Sequence, residues 1–104
     1  HSRAMRLAVL AQLALIYRRL GLWEQAEGIW LVLAQENGDM QACEELAKYY
    51  EHICRDYIKA RQFTKRGLAL ALAQDRSRTA AFEYRLERLE RKLERSEQTT
   101  VKVN

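Results

Sequence analysis

The 104-residue sequence lacks proline and contains only four glycines, so little in it interrupts a helix. Its β-branched residues are scarce, whereas Ala, Leu, Glu, Gln, Lys and Arg, which favour helices, are abundant. No apolar run reaches the roughly 20 residues that span a bilayer, so we expect no membrane segment. Hydrophobic residues make up 48% and charged residues 31%, which is typical of a globular domain rather than of a disordered chain. The composition predicts an all-α protein.

Cysteine is nearly absent, and its two occurrences are spaced so that they cannot pair with each other. Cys43 and Cys54 stand eleven residues apart on one predicted helix, which puts their Cα atoms roughly 16 Å apart. A disulfide bond requires less than about 7 Å. We therefore expect two free thiols, as is usual in a cytoplasmic protein, and we predict that location.

The net charge of +4 is the sum of blocks of opposite sign. Residues 1–20 carry four bases and no acid, residues 21–56 carry eight acids and two bases, and residues 57–78 carry six bases and one acid. Residues 79–104 are nearly balanced, with six bases and five acids. Such alternation predicts helices that stack in chain order and meet opposite charge across each contact.

The segment from Leu13 to Ala34 has the pattern of two helices joined by a turn at Gly21. Its signature positions are Leu13, Ala14 and Tyr17 in the first helix and Ala26 and Trp30 in the second. Each set shares one helix face. The small residues occupy the places where two helices cross closely, and the large ones fill the space around the crossing. A helical hairpin is the expected structure.

The same signature returns later in the chain. The residues that stand 33 positions after Leu7, Leu10, Leu13, Ala14 and Tyr17 are Met40, Cys43, Leu46, Ala47 and Tyr50. Ala60, however, follows Ala26 by 34 positions, so the second unit has gained one residue near its turn. The second unit also departs from the pattern at Thr64, which replaces the large aromatic residue. Five matches in register indicate an internal repeat.

These features resemble the tetratricopeptide repeat (TPR), a helix–turn–helix unit of about 34 residues. The resemblance implies a right-handed superhelix of five helices: two hairpins, at residues 7–39 and 40–74, and a capping helix at 79–97. Residues 98–104 are expected to form a frayed tail. The fifth helix carries an apolar stripe made of Phe82, Leu86, Leu89 and Leu93. That stripe suits a cap packed on the fourth helix, or else a short coiled coil with a second copy; we expect the cap and a monomer.

A second resemblance rests on three runs taken together: LALIYRRLGLWEQAEGIW, EELAKYYEHICRDYIKA and FEYRLERLERKLER. Their succession is similar to the C-terminal helical region of bacterial proteins that begin with a ribonuclease H-like exonuclease domain. The resemblance implies a module of a larger bacterial protein whose nuclease half is missing here. It does not imply catalysis by this chain, because no strand pattern carries the acidic metal-binding clusters of such a nuclease.

The TPR resemblance also implies a partner-binding surface, since in that family the first helix of each unit lines a concave groove. Carried over by register, the contact residues are Ala8, Ala11, Gln12, Leu15, Arg18 and Arg19 in the first unit and Gln41, Glu44, Lys48, Glu51 and His52 in the second. The apolar members of the first set fit either a groove for a partner or a surface covered by a neighbouring domain. A peptide or a protein domain, including the missing half of the same protein, is the expected partner.

The sequence gives little support for metal binding, catalysis or nucleic-acid binding. His52, Cys54 and Asp56 alternate along a helix and point about 200° apart in succession, so they cannot converge on a metal ion. We expect no catalytic site, cofactor or metal, and we predict a non-catalytic scaffold for protein binding. The alternative is an accessory nucleic-acid-binding domain that assists the nuclease. Its only signal is the basic run Lys59, Arg61, Lys65, Arg66, Arg76 and Arg78, which is spread around its helix.

Overall fold

A computed structural model describes residues 2–103, with side chains described for residues 2–97. Across these residues the chain forms five α-helices and no strand, which confirms the all-α class. The helices are α1 (Arg3–Arg19), α2 (Trp23–Asn37), α3 (Met40–Lys48), α4 (Tyr57–Gln74) and α5 (Thr79–Val103). A π-helical segment, Tyr49–Ile53, continues α3, and a 3-10 turn, Arg76–Arg78, precedes α5. None of the described helices combines the length and the apolar character needed to cross a bilayer.

The first connection forms at the predicted glycine. Gly21 has a left-handed φ of 74°, which costs a residue without Cβ little. The N–H of Leu22 donates to the carbonyl of Tyr17 at 2.9 Å, and the N–H of Gly21 donates to that of Arg18 at 3.0 Å. This pair of bonds is the Schellman motif, which satisfies carbonyls left free at a helix end. The predicted helix end at Gly21 is confirmed.

The second connection likewise follows its local sequence. Gly38 has a left-handed φ of 60° and ends α2. Asp39 caps α3, because its carboxylate accepts a hydrogen bond from the N–H of Ala42 at 3.0 Å. Asp39 is thus the N-cap of α3.

The extra residue of the second unit is taken up by the π-helical segment. There the N–H of Cys54 donates to the carbonyl of Tyr49, five residues back, at 3.1 Å. The wider turn accommodates one more residue than an α-helix would over the same length. Arg55 then occupies the left-handed region, with φ 54°, where the first unit has Gly21. The first helix of the second unit is therefore an α-helix, Met40–Lys48, followed by a π-helical turn, Tyr49–Ile53.

Four alanines are buried in the core where consecutive helices pack together. Ala14 and Ala26 lie where α1 packs on α2, and Ala47 and Ala60 lie where α3 packs on α4; all four are fully buried. Around them the core contains Trp30, Leu33, Leu46, Tyr50, Phe63 and Leu89. The predicted positions of small residues are thus confirmed as core positions.

Four aromatic rings connect the two hairpins. The ring centroids of Trp23 and Tyr49 are 5.6 Å apart, those of Tyr49 and Tyr50 are 5.2 Å apart, and those of Tyr50 and Phe63 are 5.7 Å apart. Such spacings are those of stacked and tilted aromatic pairs. The row runs from α2 through the π-helical segment to α4.

The fifth helix packs on α4, as the interpretation of its stripe as a cap requires. Phe82 and Leu89 are fully buried. Phe82 lies over Gly67, with Leu68 and Leu70 at the edge of the same cluster. Leu72, by contrast, is 46% exposed. The predicted frayed tail, residues 98–104, lies outside the part of the chain whose side chains are described.

Candidate functional site

A groove runs between α1 and α3. It consists of two pockets that share Glu45 as a common wall, and we call them together the α1–α3 groove. The larger pocket, about 220 Å³, is lined by Arg18, Trp23, Glu45, Lys48, Tyr49, His52 and Ile53. The smaller pocket, about 150 Å³, is lined by Ala11, Leu15, Trp30, Leu33, Asp39, Gln41, Ala42 and Glu45. Both pockets therefore combine apolar walls with polar groups at their openings.

The floor of the groove consists mainly of aromatic side chains. In the larger pocket Trp23 stacks on Tyr49 with 19° between the ring planes. In the smaller pocket Trp30 and Leu33 of α2, both buried, close the bottom. Side chains packed in this way restrict one another, which favours pockets that are already open before a ligand binds.

Glu45 organises the polar groups of the groove. Its side chain is 6% exposed, and its carboxylate accepts a hydrogen bond from Arg18 at 2.5 Å. Gln41 donates to the other carboxylate oxygen at 3.2 Å, and Lys48 lies 3.7 Å from it. A charge-assisted bond from α1 to α3 thus spans the groove and fixes its width.

Three groups at the larger pocket can carry positive charge. Arg18, Lys48 and His52 have side chains that are 35%, 45% and 56% exposed, so each remains accessible to a ligand. Partial burial lowers the pKa of His52, and the cations Lys92, Arg85 and Arg88 lower it further against the opposing effect of Glu51. His52 is therefore neutral at pH 7. Arg18 and Lys48 carry the positive charges of this opening, and both are already paired with carboxylates, Arg18 with Glu45 and Lys48 with Glu44 and Glu45.

Six of the eleven residues predicted for the partner-binding surface line the groove. They are Ala11, Leu15, Arg18, Gln41, Lys48 and His52. Ala8, Gln12 and Arg19 are exposed on α1 outside the two pockets. Glu44 lies beside the groove, where its carboxylate is 3.7 Å from Lys48 and 3.4 Å from Arg78.

The remaining predicted residue, Glu51, lies away from the groove. It is 1% exposed and is covered by α5. Arg88 donates to both carboxylate oxygens, at 2.7 Å each, while Arg85 and Lys92 bind at 2.6 and 2.8 Å. Burial alone would raise the pKa of Glu51, but these hydrogen bonds outweigh it and lower the pKa to about 2. Glu51 holds the fold together and is not available to a partner.

The sequence pattern did not identify the residues that form the floor of the groove and the wall between its two pockets. Trp23 and Tyr49 form the floor of one pocket, and Glu45 forms the wall between both. Register on α1 and α3 could not identify Trp23, because it belongs to the start of α2. Glu45 had a weak signal, since it stands four residues after Gln41 and three before Lys48 on one helix face.

The basic run that suggested nucleic-acid binding is largely engaged within the protein. Lys59 lies over the ring of Tyr50 at 5.5 Å, and Arg66 lies over the ring of Phe63 at 5.3 Å. Arg61 and Arg78 form ion pairs with carboxylates on α5 and α3, at 3.5 and 3.4 Å. Lys65 and Arg76 are exposed. Within this basic run, Lys65 and Arg76 are the two cations that make neither a ring contact nor an ion pair.

The cysteines are both free, as their spacing predicts. Burial raises the pKa of Cys43 to about 11, so this thiol is protonated at neutral pH and a poor nucleophile. In the described part of the chain, no three His, Cys, Asp or Glu side chains are grouped so that they could hold a metal ion.

Comparison with known proteins adds no family to this description. The chain matches no protein-family model, no curated protein and no solved structure. Its function must therefore be argued from its own geometry.

Proposed function

We propose that the chain is a non-catalytic protein-interaction module that binds an extended peptide segment in the α1–α3 groove. The observation that carries this proposal is the pair of adjoining pockets with a shared wall at Glu45. Preformed apolar pockets with a few polar groups at their openings are the usual form of a binding site. Two pockets in a row suit two side chains of one extended segment.

The architecture we propose for this module is TPR-like: a right-handed superhelix of two hairpins with α5 as a cap. Three observations support it. The alanines at positions 14 and 47 are both fully buried at a spacing of 33, the α1 and α3 helices face a common groove, and α5 covers α4. In such superhelices the first helices of successive units form the concave binding surface.

The chemistry of the groove indicates what kind of peptide it takes. Volumes of about 220 and 150 Å³ hold individual side chains rather than a folded domain. The walls favour apolar or aromatic side chains, and Arg18 and Lys48 favour a carboxylate beside them. We therefore propose a segment in which an apolar residue is adjacent to Asp or Glu.

We further propose that the module belongs to a larger bacterial, cytoplasmic protein with a ribonuclease H-like domain. The support is the similarity of the three helical runs described above. The peptide then comes either from that domain or from another protein. The sequence encoded ahead of His1 in the natural gene tests this origin: a strand-rich domain with clustered acidic residues is expected there, and any other fold would contradict it.

Selection from a random peptide library tests the binding function. The immobilised chain should enrich peptides that pair an apolar residue with Asp or Glu, and a labelled peptide from the selection should bind in a fluorescence-anisotropy titration. The double substitution Arg18→Glu with Lys48→Glu should weaken binding by about tenfold or more, because it reverses the charge at the opening. Lys65→Glu, on the exposed side of α4, is the matched control and should leave the affinity unchanged.

Two outcomes would overturn the proposal: no enrichment over an unrelated helical protein, or an affinity that the groove substitutions do not change. A single-stranded oligonucleotide in the same titration tests the alternative function. Phosphate contacts give affinities that fall steeply between low and moderate salt. Saturable, salt-sensitive binding of that oligonucleotide, together with failure of the peptide selection, would favour the nucleic-acid hypothesis.

A further inference from the structure

The outer face of α1, opposite the core, carries a stripe of exposed apolar side chains. Met5, Val9, Ile16 and Leu20 are 58%, 61%, 49% and 66% exposed. At about 100° per residue these four side chains fall within a sector of about 60° on the helix. We call them the α1 stripe. It is distinct from the α1–α3 groove, which uses Ala11, Leu15 and Arg18 of the same helix.

The stripe borders a shallow, open part of the surface. Met5, Arg6, Val9 and Leu10, on adjacent turns of α1, line it. A depression between turns of a helix is the form that receives a side chain from a second helix, as ridges of one helix pack into grooves of another. The geometry favours a helical partner over an extended one.

The charges around the stripe have a single sign. α1 contains four arginines and no acidic residue. Arg3 donates to the side chain of Asn37 and Arg18 binds Glu45, so these two are engaged. On the helix, Arg6 and Arg19 lie on opposite sides of the stripe. Within the described residues, neither has a carboxylate partner.

We propose that the α1 stripe is a docking surface for an amphipathic helix whose apolar face is flanked by Asp or Glu. The apolar side chains of the partner would cover Met5, Val9, Ile16 and Leu20, and its carboxylates would pair with Arg6 and Arg19. Opposite charges that flank an apolar contact select the partner and its orientation, as they do at the edges of coiled coils. This surface acts independently of the α1–α3 groove.

Two other occupants fit the same observations less well. A second copy of α1 would bring its own arginines against Arg6 and Arg19, and like charges at such positions oppose pairing. Insertion of the stripe into a bilayer would also bury Gln12, which lies along the helix between Val9 and Ile16. An amide buried among acyl chains has no hydrogen-bond partner, which is costly, whereas a partner helix can supply one.

The test uses a labelled 21-residue peptide of three heptads with Leu at positions a and d and Glu at e and g. At neutral pH the glutamates repel one another across a pair, so the peptide does not associate with itself. The control peptide has Lys in place of Glu. In an anisotropy titration at low salt, the chain should bind the Glu peptide at least about tenfold more tightly than the Lys peptide.

Four variants locate the binding. Val9→Asp combined with Ile16→Asp should weaken binding of the Glu peptide by about tenfold or more. Ile58→Asp, at an equally exposed apolar residue on α4, is the matched control and should have no effect. Arg6→Glu combined with Arg19→Glu should reverse the preference, so that the Lys peptide binds more tightly. The groove variant, Arg18→Glu with Lys48→Glu, should change the affinity for the Glu peptide less than Arg6→Glu with Arg19→Glu does.

Each remaining outcome would overturn the proposal. Equal affinity for both peptides, or no saturable binding below about 1 mM, would show that α1 has no charge-selective binding site. A dimer in sedimentation that Val9→Asp with Ile16→Asp makes monomeric would identify a second copy as the occupant. Binding to vesicles of phosphatidylserine and phosphatidylcholine that the same double variant abolishes, without binding of the Glu peptide, would identify a membrane surface.

Discussion

Arg88 binds Glu51 through one edge of its guanidinium group, with Nε and Nη2 each 2.7 Å from a carboxylate oxygen. The two residues come from different parts of the fold, since Glu51 lies in the π-helical segment and Arg88 lies in the middle of α5. A buried carboxylate with two cations besides Arg88 therefore fastens the last helix to the second hairpin. This contact accounts for the position of α5 more specifically than apolar packing alone.

The substitution Glu51→Gln should destabilise the protein by about 3–5 kcal/mol, because it leaves Arg85, Arg88 and Lys92 beside a neutral amide. Chemical denaturation followed by circular dichroism measures the change. Glu44→Gln is the matched control: its ion pairs with Lys48 and Arg78 lie near the surface, so we expect a loss of no more than about 1 kcal/mol. Equal losses for both variants would contradict the structural role of Glu51.

The same carboxylate predicts how stability depends on pH. The pKa of Glu51 in the folded protein, about 2, is below its ordinary value of 4.5. The ionised group therefore stabilises the fold fully above pH 4.5, and this contribution is lost as the pH falls from 4.5 towards 2. The difference in unfolding free energy between the wild type and Glu51→Gln should shrink over this range by on the order of 3 kcal/mol. A difference that stays constant from pH 7 to pH 2 would contradict the assignment.

Two helical glycines should respond to alanine with opposite signs. A Cβ at Gly67 would lie within 3.0 Å of three ring carbons of Phe82, so Gly67→Ala should cost about 1–3 kcal/mol. A Cβ at Gly28 meets no atom within 4 Å, so Gly28→Ala should stabilise α2 by up to about 1 kcal/mol. Melting temperatures of the two variants check this prediction. If Gly67→Ala melts at or above the wild-type temperature, α5 does not pack on α4 at Phe82.

Arg55 occupies the left-handed conformation that glycine adopts at the equivalent turn of the first hairpin. Its φ is 54°, a region that costs most residues about 1–2 kcal/mol. Arg55→Gly should therefore raise the unfolding free energy by about 1 kcal/mol, measured by chemical denaturation. Gly21→Ala, the reverse change at φ 74°, should lower it by a similar amount. Loss of stability in Arg55→Gly would mean that the turn does not have this conformation.

The helices and their crossings could be predicted because their signals are local. Apolar periodicity, the left-handed glycine at position 21 and the cap at Asp39 each act within a few residues. Ala14 and Ala47 were identified as crossing residues because the repeat places them in register, and both are fully buried. The difference between spacings of 33 and 34 indicated an extra residue in the second unit. No local feature of the sequence showed whether that extra residue would lengthen the turn or would be accommodated in a π-helical segment.

The role of Glu51 could not be predicted in the same way. Glutamate on a predicted helix is usually exposed, and the partners of Glu51 are 34 to 41 residues away in the sequence. Arg85, Arg88 and Lys92 do fall on one face of α5, at intervals of three and four. That face could have been read as a basic stripe beside the apolar one, but the sequence does not show which acid it meets. Six of the fourteen residues that line the groove had been predicted from register on α1 and α3, whereas its floor depends on how α2 packs beneath them.

The central claim is that the space between α1 and α3 binds a peptide, and amide chemical shifts test it most directly. Uniformly ¹⁵N-labelled protein is titrated with a peptide selected as described above, and the shift of each backbone amide is followed. We expect the largest changes at Ala11, Leu15 and Arg18 on α1 and at Gln41, Lys48 and His52 along α3 and its π-helical extension, with little change on α5. Changes that concentrate on α4 and α5, or that leave both walls of the groove unaffected, would contradict the account.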